Sequence, residues 1–168
     1  MALAKMYQSL CCYCEGQVAP VRADEIEHRQ PVDQFPQQVF DWQNLHLACR
    51  GCNLAKSNKW DSAAPILDAV TDVPIEDHLY YQFVGRAIYR YGSTKSGRTT
   101  VKHADLNREA LLGARTEVIH EIINVIVEIN ADPADPRAAN AREVLEGKTS
   151  GEFGSMVQWA IGSLLRQG

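Results

Sequence analysis

Two Cys-x-x-Cys turns, Cys11 to Cys14 and Cys49 to Cys52, bracket an acid followed at once by an imidazole, Glu27-His28. A Cys-x-x-Cys turn sets two thiolates on one side of a tight loop with amide donors near the sulfurs. Two such turns complete a four-sulfur tetrahedron, which suits Zn2+: the ion tolerates four soft ligands and has no redox chemistry. Cys12 could replace Cys11 through a tighter Cys-x-Cys spacing. Cys11 is preferred because its spacing repeats that of the second pair, which leaves Cys12 as a small buried apolar side chain. A redox dithiol pair is the competing reading, but no thioredoxin-like βαβ pattern surrounds either turn.

A closed zinc site is structural and has no open coordination position. The chemistry would come from the residues that the two turns bring together. Glu27 offers a carboxylate oxygen and Asn53 an amide oxygen, donors that suit a hard divalent cation such as Mg2+ or Mn2+. His28 can take a proton from water near neutral pH. Glu27, His28, Asn44 and Asn53 are the candidate catalytic residues, with Glu27 and Asn53 as ligands of the catalytic ion. Each has a duller alternative: a solvated loop acid, a structural histidine, a structural brace and a helix cap.

The order Cys-x-x-Cys, Glu-His, Asn-Leu, Cys-x-x-Cys-Asn-x-x-Lys resembles the HNH endonucleases with a zinc-bound ββα-metal core, as an H-N-N variant on His28, Asn44 and Asn53. By that resemblance His28 is the general base and Glu27 and Asn53 hold the catalytic metal. Asn44 would brace the loop between two core strands by backbone hydrogen bonds, and Lys56 would meet phosphate. The stretches "CYCEG", "IEHRQP", "FDWQNLHLACRGCNLAKSNKW", "HLYYQFVGRAIYRYG" and "ADLNREALLGAR" are similar to the HNH nuclease subunit of Septu-type anti-phage systems and related retron effectors. That similarity implies an ATPase subunit as partner and a place in a defence complex.

The elements that must position these residues follow from pattern. Residues 2–9 suit a short helix or arm, and Cys11 to Pro36 suits loops and short strands. Val39 to Cys49 reads as a strand after a turn, and Asn53 to Trp60 as a short helix. Asp61 to Pro74 reads as a connector with one helical turn near Ile66. "LYYQFVGRAIYRYGSTKSGRTTVKH" reads as a β-hairpin turning at "GSTKSG". A long helix is expected from Asp105 or Asn107 to about Asn130, with Leu111, Val118, Ile119, Ile122, Ile123, Ile126 and Ile129 as its apolar face. Shorter helices follow near Pro136–Leu145 and Phe153–Arg166. The expected fold class is α+β: a ββα-metal HNH core with a four-cysteine zinc site over residues 1–75, then a β-hairpin and C-terminal helical region over 76–168 packed on it.

The net charge of −4 is unevenly spread. Residues 1–104 hold 11 basic and 11 acidic side chains, and residues 105–168 hold 6 and 10. Two acid-free windows, Trp42 to Trp60 and His78 to Ala104, supply local basic surface, which decides polyanion docking more than net charge does. Lys56, Lys59, Arg86, Arg90, Lys95, Arg98 and Lys102 are therefore the candidate nucleic-acid contacts, with DNA ahead of RNA as substrate. Tyr80, Tyr81, Tyr89 and Tyr91 would either stack bases or pack on the long helix. His46 reads as a strand-surface residue, and His78, His103 and His120 as surface or capping residues. The Ile- and Val-rich end of the long helix exceeds the needs of a small core and points to a partner or a second copy. There is no run of about 18 apolar residues and no signal-peptide pattern, so a cytoplasmic protein is expected. The alternative function is a zinc-ribbon binding module without catalysis.

Overall fold

The computed structural model describes residues 2–18, 24–132 and 134–164. A short helix α1 (Ala2–Met6) precedes the first cysteine turn. Strands β1 (Asp24–His28) and β2 (Leu45–Cys49) pair antiparallel, from Asp24 opposite Cys49 to His28 opposite Leu45. Helix α2 (Arg50–Lys56) continues directly from β2. This is a ββα unit. In β2 the consecutive residues His46, Leu47 and Ala48 are all buried, so the strand is covered on both faces. The strand expected from Val39 begins only at Leu45. Ahead of it lie two 3-10 turns, Pro36–Gln38 and Trp42–Asn44, and Asp41 caps the second by accepting from the Gln43 amide at 3.0 Å. Helix α2 starts at Arg50, ahead of the expected start beyond Cys52.

The second hairpin pairs β3 (Leu79–Val84) with β4 (Ala87–Gly92) around Gly85-Arg86, where Gly85 has φ +62°. "GSTKSG" is not its turn. Thr94 caps a helix, α3 (Lys95–His103), its hydroxyl accepting from the Gly97 amide at 3.0 Å. The glycines of that stretch serve a close backbone approach instead. A Cβ on Gly92 would lie 2.1 Å from the Arg98 nitrogen, and one on Gly97 2.1 Å from the His78 oxygen. No helical turn forms at Ile66, which is buried in irregular chain; the neighbouring Leu67 amide donates to the Thr100 hydroxyl at 2.8 Å.

Helix α4 (Glu109–Ala131) begins later than expected because Asn107 does not cap it. The Asn107 carboxamide is bonded to β4, accepting from the Arg90 amide at 2.8 Å and donating to the Arg90 carbonyl at 2.9 Å. The inward stripe of α4 is Leu111, Arg115, Ile119, Ile122, Ile126 and Ile129, at three- and four-residue spacing. It packs against β4, α5 (Pro136–Lys148) and α6 (Gly154–Leu164). The expected end at Arg166 lies outside the described residues.

A continuous cluster of buried side chains runs from Leu3 to Ala160 and includes Cys11, Cys14 and Cys52. A polar network crosses it. Arg90 pairs with Glu15 at 2.8 Å, and the Ser155 hydroxyl donates to Glu15 at 2.6 Å and bonds the Tyr81 hydroxyl at 2.9 Å. The network ties the first cysteine turn, the second hairpin and α6 together. Among the described residues no helix is long and apolar enough to cross a membrane.

Candidate active site and metal centre

The ligating sulfurs of Cys11, Cys14, Cys49 and Cys52 all lie within 4.8 Å of one another. A tetrahedral ion with Zn–S bonds of ~2.3 Å sets its sulfurs ~3.8 Å apart, so the donor set fits Zn2+. The first turn is closed by Cys11 N donating to Gly16 O and by Gly16 N donating to Cys14 Sγ at 3.4 Å. The second uses the end of β2 and the first turn of α2. Cys12 is outside the cluster: its amide donates to Leu47 O, and its side chain lines a different cavity.

Arg108, 56 residues beyond Cys52, aims its guanidinium at the cluster, 3.3 Å from Cys52 Sγ and 3.6 Å from Cys49 Sγ. Its charge offsets that of the thiolates. Gly51 makes room, since a Cβ there would sit 2.8 Å from the Arg108 nitrogen. Nothing in the spacing of the chain singled out Arg108; a glycine wedged between ligand positions was a faint signal.

With the two cysteine turns drawn together, β1 lies along α2. Alternate strand residues then meet helix residues three apart. Asn53 Nδ2 donates to Glu25 at 2.7 Å, and Lys56 forms an ion pair with Glu27. Glu25 was legible only through its two-residue spacing from Glu27. Glu27 is 2% exposed, and Tyr13 also donates to its Oε1, at 3.3 Å. That leaves Oε2 as the oxygen available to a cation. Burial pushes the Glu27 carboxyl above its usual range, against the opposing pull of Lys56. Asn53, its amide nitrogen held by Glu25, keeps Oδ1 to offer.

His28 ends β1. Its Nε2 lies 3.0 Å from the Val39 carbonyl, which can only accept, so Nε2 carries the hydrogen. In the neutral ring Nδ1 is then bare and basic. Asn44 holds this geometry: Oδ1 accepts from Gln30 N at 2.7 Å, while Nδ2 donates to Gln30 O at 3.0 Å and to Gln38 O at 3.3 Å. Its carbonyl accepts from Arg29 N at 3.0 Å. The loop carrying Val39 is thus pinned beside His28. Glu27, His28 and Asn53 line one open cavity of about 370 Å³ with Pro31 and Asn58.

Two expected nucleic-acid contacts are corrected. Lys56 is 1% exposed, paired with Glu27 and bonded to the His28 carbonyl, so it faces inward. Arg90 is 2% exposed and paired with Glu15. Helix α2 packs on β1, and β4 on α4, which turns both cations toward the core. Lys59, Arg86, Lys95, Arg98 and Lys102 are exposed. Lys95, Arg98 and Lys102 follow one another at three- and four-residue steps along one face of α3. The tyrosines divide by burial, and the buried one packs mainly on α6 rather than on the long helix. Tyr81 is buried against Trp159, whereas Tyr80 and Tyr91 stack on the other face of the hairpin, 5.6 Å apart.

Residues 11–59 match the HNH endonuclease family. Over 139 residues the chain is 27% identical to Septu protein PtuB of Bacillus thuringiensis, covering 77% of this chain and 52% of that protein. The chain thus spans about half the length of that relative. No solved structure matches it. The paired strands, following helix and clustered cysteines all fall inside the segment that matches the HNH endonuclease family, and most of the chain is similar to a Septu protein.

Proposed function

We propose that the chain is a metal-dependent endonuclease that hydrolyses phosphodiester bonds, in DNA ahead of RNA, as the nuclease of an anti-phage defence complex. The observation that carries this reading is the bare Nδ1 of His28, fixed by the Val39 carbonyl beside two oxygen donors. His28 Nδ1 accepts a proton from the attacking water, and the Val39 carbonyl holds the resulting imidazolium by its other nitrogen. Asn44 keeps Val39 in place while that charge develops. Glu27 Oε2 and Asn53 Oδ1 would hold a divalent cation, Mg2+ or Mn2+. The cation supplies electrostatic stabilisation of the phosphate and the leaving oxygen. Lys56 already neutralises much of the Glu27 charge, so the cation site relies on the substrate phosphate to complete it. Lys59 and the basic face of α3 would hold the polynucleotide backbone.

The ATPase partner follows from the Septu likeness, and its docking surface would be the half-exposed apolar flank of α4 around Val127. A second copy of the chain is the other candidate for that flank. Thiolate zinc ligands suit a reducing cytoplasm.

One observation favours the second reading, a zinc-ribbon module without catalysis: Glu27 already has a buried partner in Lys56. Plasmid DNA and a structured RNA incubated with the protein and Mg2+ or Mn2+, with and without a co-expressed ATPase, separate the two. The nuclease reading expects cleavage that needs the ion and is lost in Asn53→Ala. Ion-independent cleavage would overturn the metal-dependent mechanism, and no cleavage under any of these conditions would leave the binding module.

A further inference from the structure

Beside the β1–β2 hairpin lies a second cavity, of about 440 Å³, that shares no lining residue with the candidate active site. Its size falls in the range of ~300–1,000 Å³ typical of small-ligand sites. Arg29, Gln30, Trp42, Gln43, His46 and Asp68 contribute to its wall. Arg29 and Gln30 directly follow His28, and His46 lies opposite Glu27 in the strand register.

His46 is 4% exposed and is the group whose chemistry is unaccounted for. Its Nδ1 bonds the Tyr7 hydroxyl, and its Nε2 is buried with no partner among the described residues. Burial keeps the imidazole neutral and Tyr7 a phenol, so that the hydroxyl donates to Nδ1 and Nε2 carries a hydrogen. A buried unpaired N–H is costly, and an acceptor reaching it from the cavity would recover that cost. Asp68 is also buried. Its Oδ1 accepts from Val70 N at 2.9 Å and Thr71 N at 3.4 Å, leaving Oδ2 to accept from an incoming donor. Arg29 is immobilised, with Nε on Ile66 O at 3.0 Å and its guanidinium over the Trp60 ring.

The cavity wall therefore holds one buried, unpartnered N–H donor, one carboxylate acceptor and side-chain amides, beside the half-exposed indole of Trp42. Asp41 and Asp68 outnumber Arg29, which disfavours a phosphate. A flat, neutral heterocycle with donor and acceptor atoms on one edge satisfies all of these features. Resting on the nuclease reading, we propose that this cavity receives an unstacked nucleobase of the polynucleotide, next to the scissile phosphate. Its edge bonds His46 and Asp68, and its face stacks on Trp42. The site would give cleavage a base preference that the backbone contacts cannot supply.

The test uses the full chain carrying His28→Ala, titrated with dAMP, dGMP, dCMP and dTMP and followed by calorimetry. At least one nucleotide should bind, and Trp42→Ala and Asp68→Asn should each weaken it about fivefold or more. Trp42 is exposed, so Trp42→Ala tests the stacking face without disturbing the core. With the active protein, sequencing of product ends should show a base preference near the cut that Trp42→Ala flattens. Equal nucleotide affinity in all three proteins would overturn the proposal, as would an even base distribution at the cut. Nucleotide binding that depends on Trp42, together with no cleavage by the protein that keeps His28, would sink the nuclease reading instead. Cleavage that depends on His28 with no such binding would sink the cavity alone.

Discussion

Buried ionisable side chains carry most of the specific claims at the residue scale. Lys56 is the clearest, because its placement reverses the expectation of a phosphate contact. Removing one member of a buried ion pair strands the other, at a cost of roughly 3–5 kcal/mol. Lys56→Ala should therefore lower the unfolding midpoint sharply in a thermal melt of the zinc-loaded protein, whereas exposed Lys59→Ala should leave it unchanged. His46 predicts a pH dependence. Burial lowers its pKa below the ordinary value of 6.5, so the unfolded chain takes up a proton before the folded one does. Stability should be full above that value and decline as pH falls from there toward the lowered folded pKa. His46→Gln should flatten this decline in chemical denaturation measured between about pH 7 and about pH 5.5. Neither behaviour was legible in the sequence. Lys56 looks like a surface residue until α2 is seen packed on β1, and His46 until β2 is seen covered on both faces.

At the scale of elements, the strongest periodic and spacing signals translated most directly into structure. The paired cysteine spacings, the Ile-rich stripe of α4 and the aromatic β3–β4 pair all announce themselves locally. What stayed hidden depended on contacts distant in the chain. "GSTKSG" has the composition of a hairpin turn, but Gly85-Arg86 makes the turn and Thr94 caps a helix. Asn107 has the chemistry of a cap and instead bonds the Arg90 backbone. Gly97→Ala should separate these readings, because a turn glycine with open space would tolerate the change. Here a methyl group meets the His78 carbonyl, and we expect a loss of about 1–3 kcal/mol in denaturant unfolding. The correction of Arg90 has its own consequence. Arg90→Ala should destabilise the fold yet leave the salt dependence of DNA binding unchanged. Lys102→Ala should do the reverse, reducing the slope of log affinity against log salt by about one, read by fluorescence anisotropy across a salt series.

For the whole molecule, the cysteine cluster is the clasp on which the rest hangs. It joins the N-terminal turn to the ββα unit, while the Glu15–Arg90–Ser155 network joins the same turn to the second hairpin and α6. Loss of the metal should therefore loosen more than the first third of the chain. The protein should hold one zinc per chain by elemental analysis. A strong chelator should collapse its cooperative melt, since structural zinc binding is folding free energy. Cys14→Ser should abolish zinc retention and Cys12→Ser should not. Arg108→Ala should weaken retention by about 10–100-fold, as removal of a supporting partner does.

The central claim is that His28, set by Val39 and Asn44 and flanked by Glu27 and Asn53, takes the proton in phosphodiester hydrolysis. The direct measurement is the rate of plasmid or RNA cleavage by His28→Ala protein shown to be folded and zinc-loaded, with its partner ATPase where one is required. The rate should fall about 10²–10⁴-fold with polynucleotide affinity retained. Cleavage at the wild-type rate by that folded variant would contradict it.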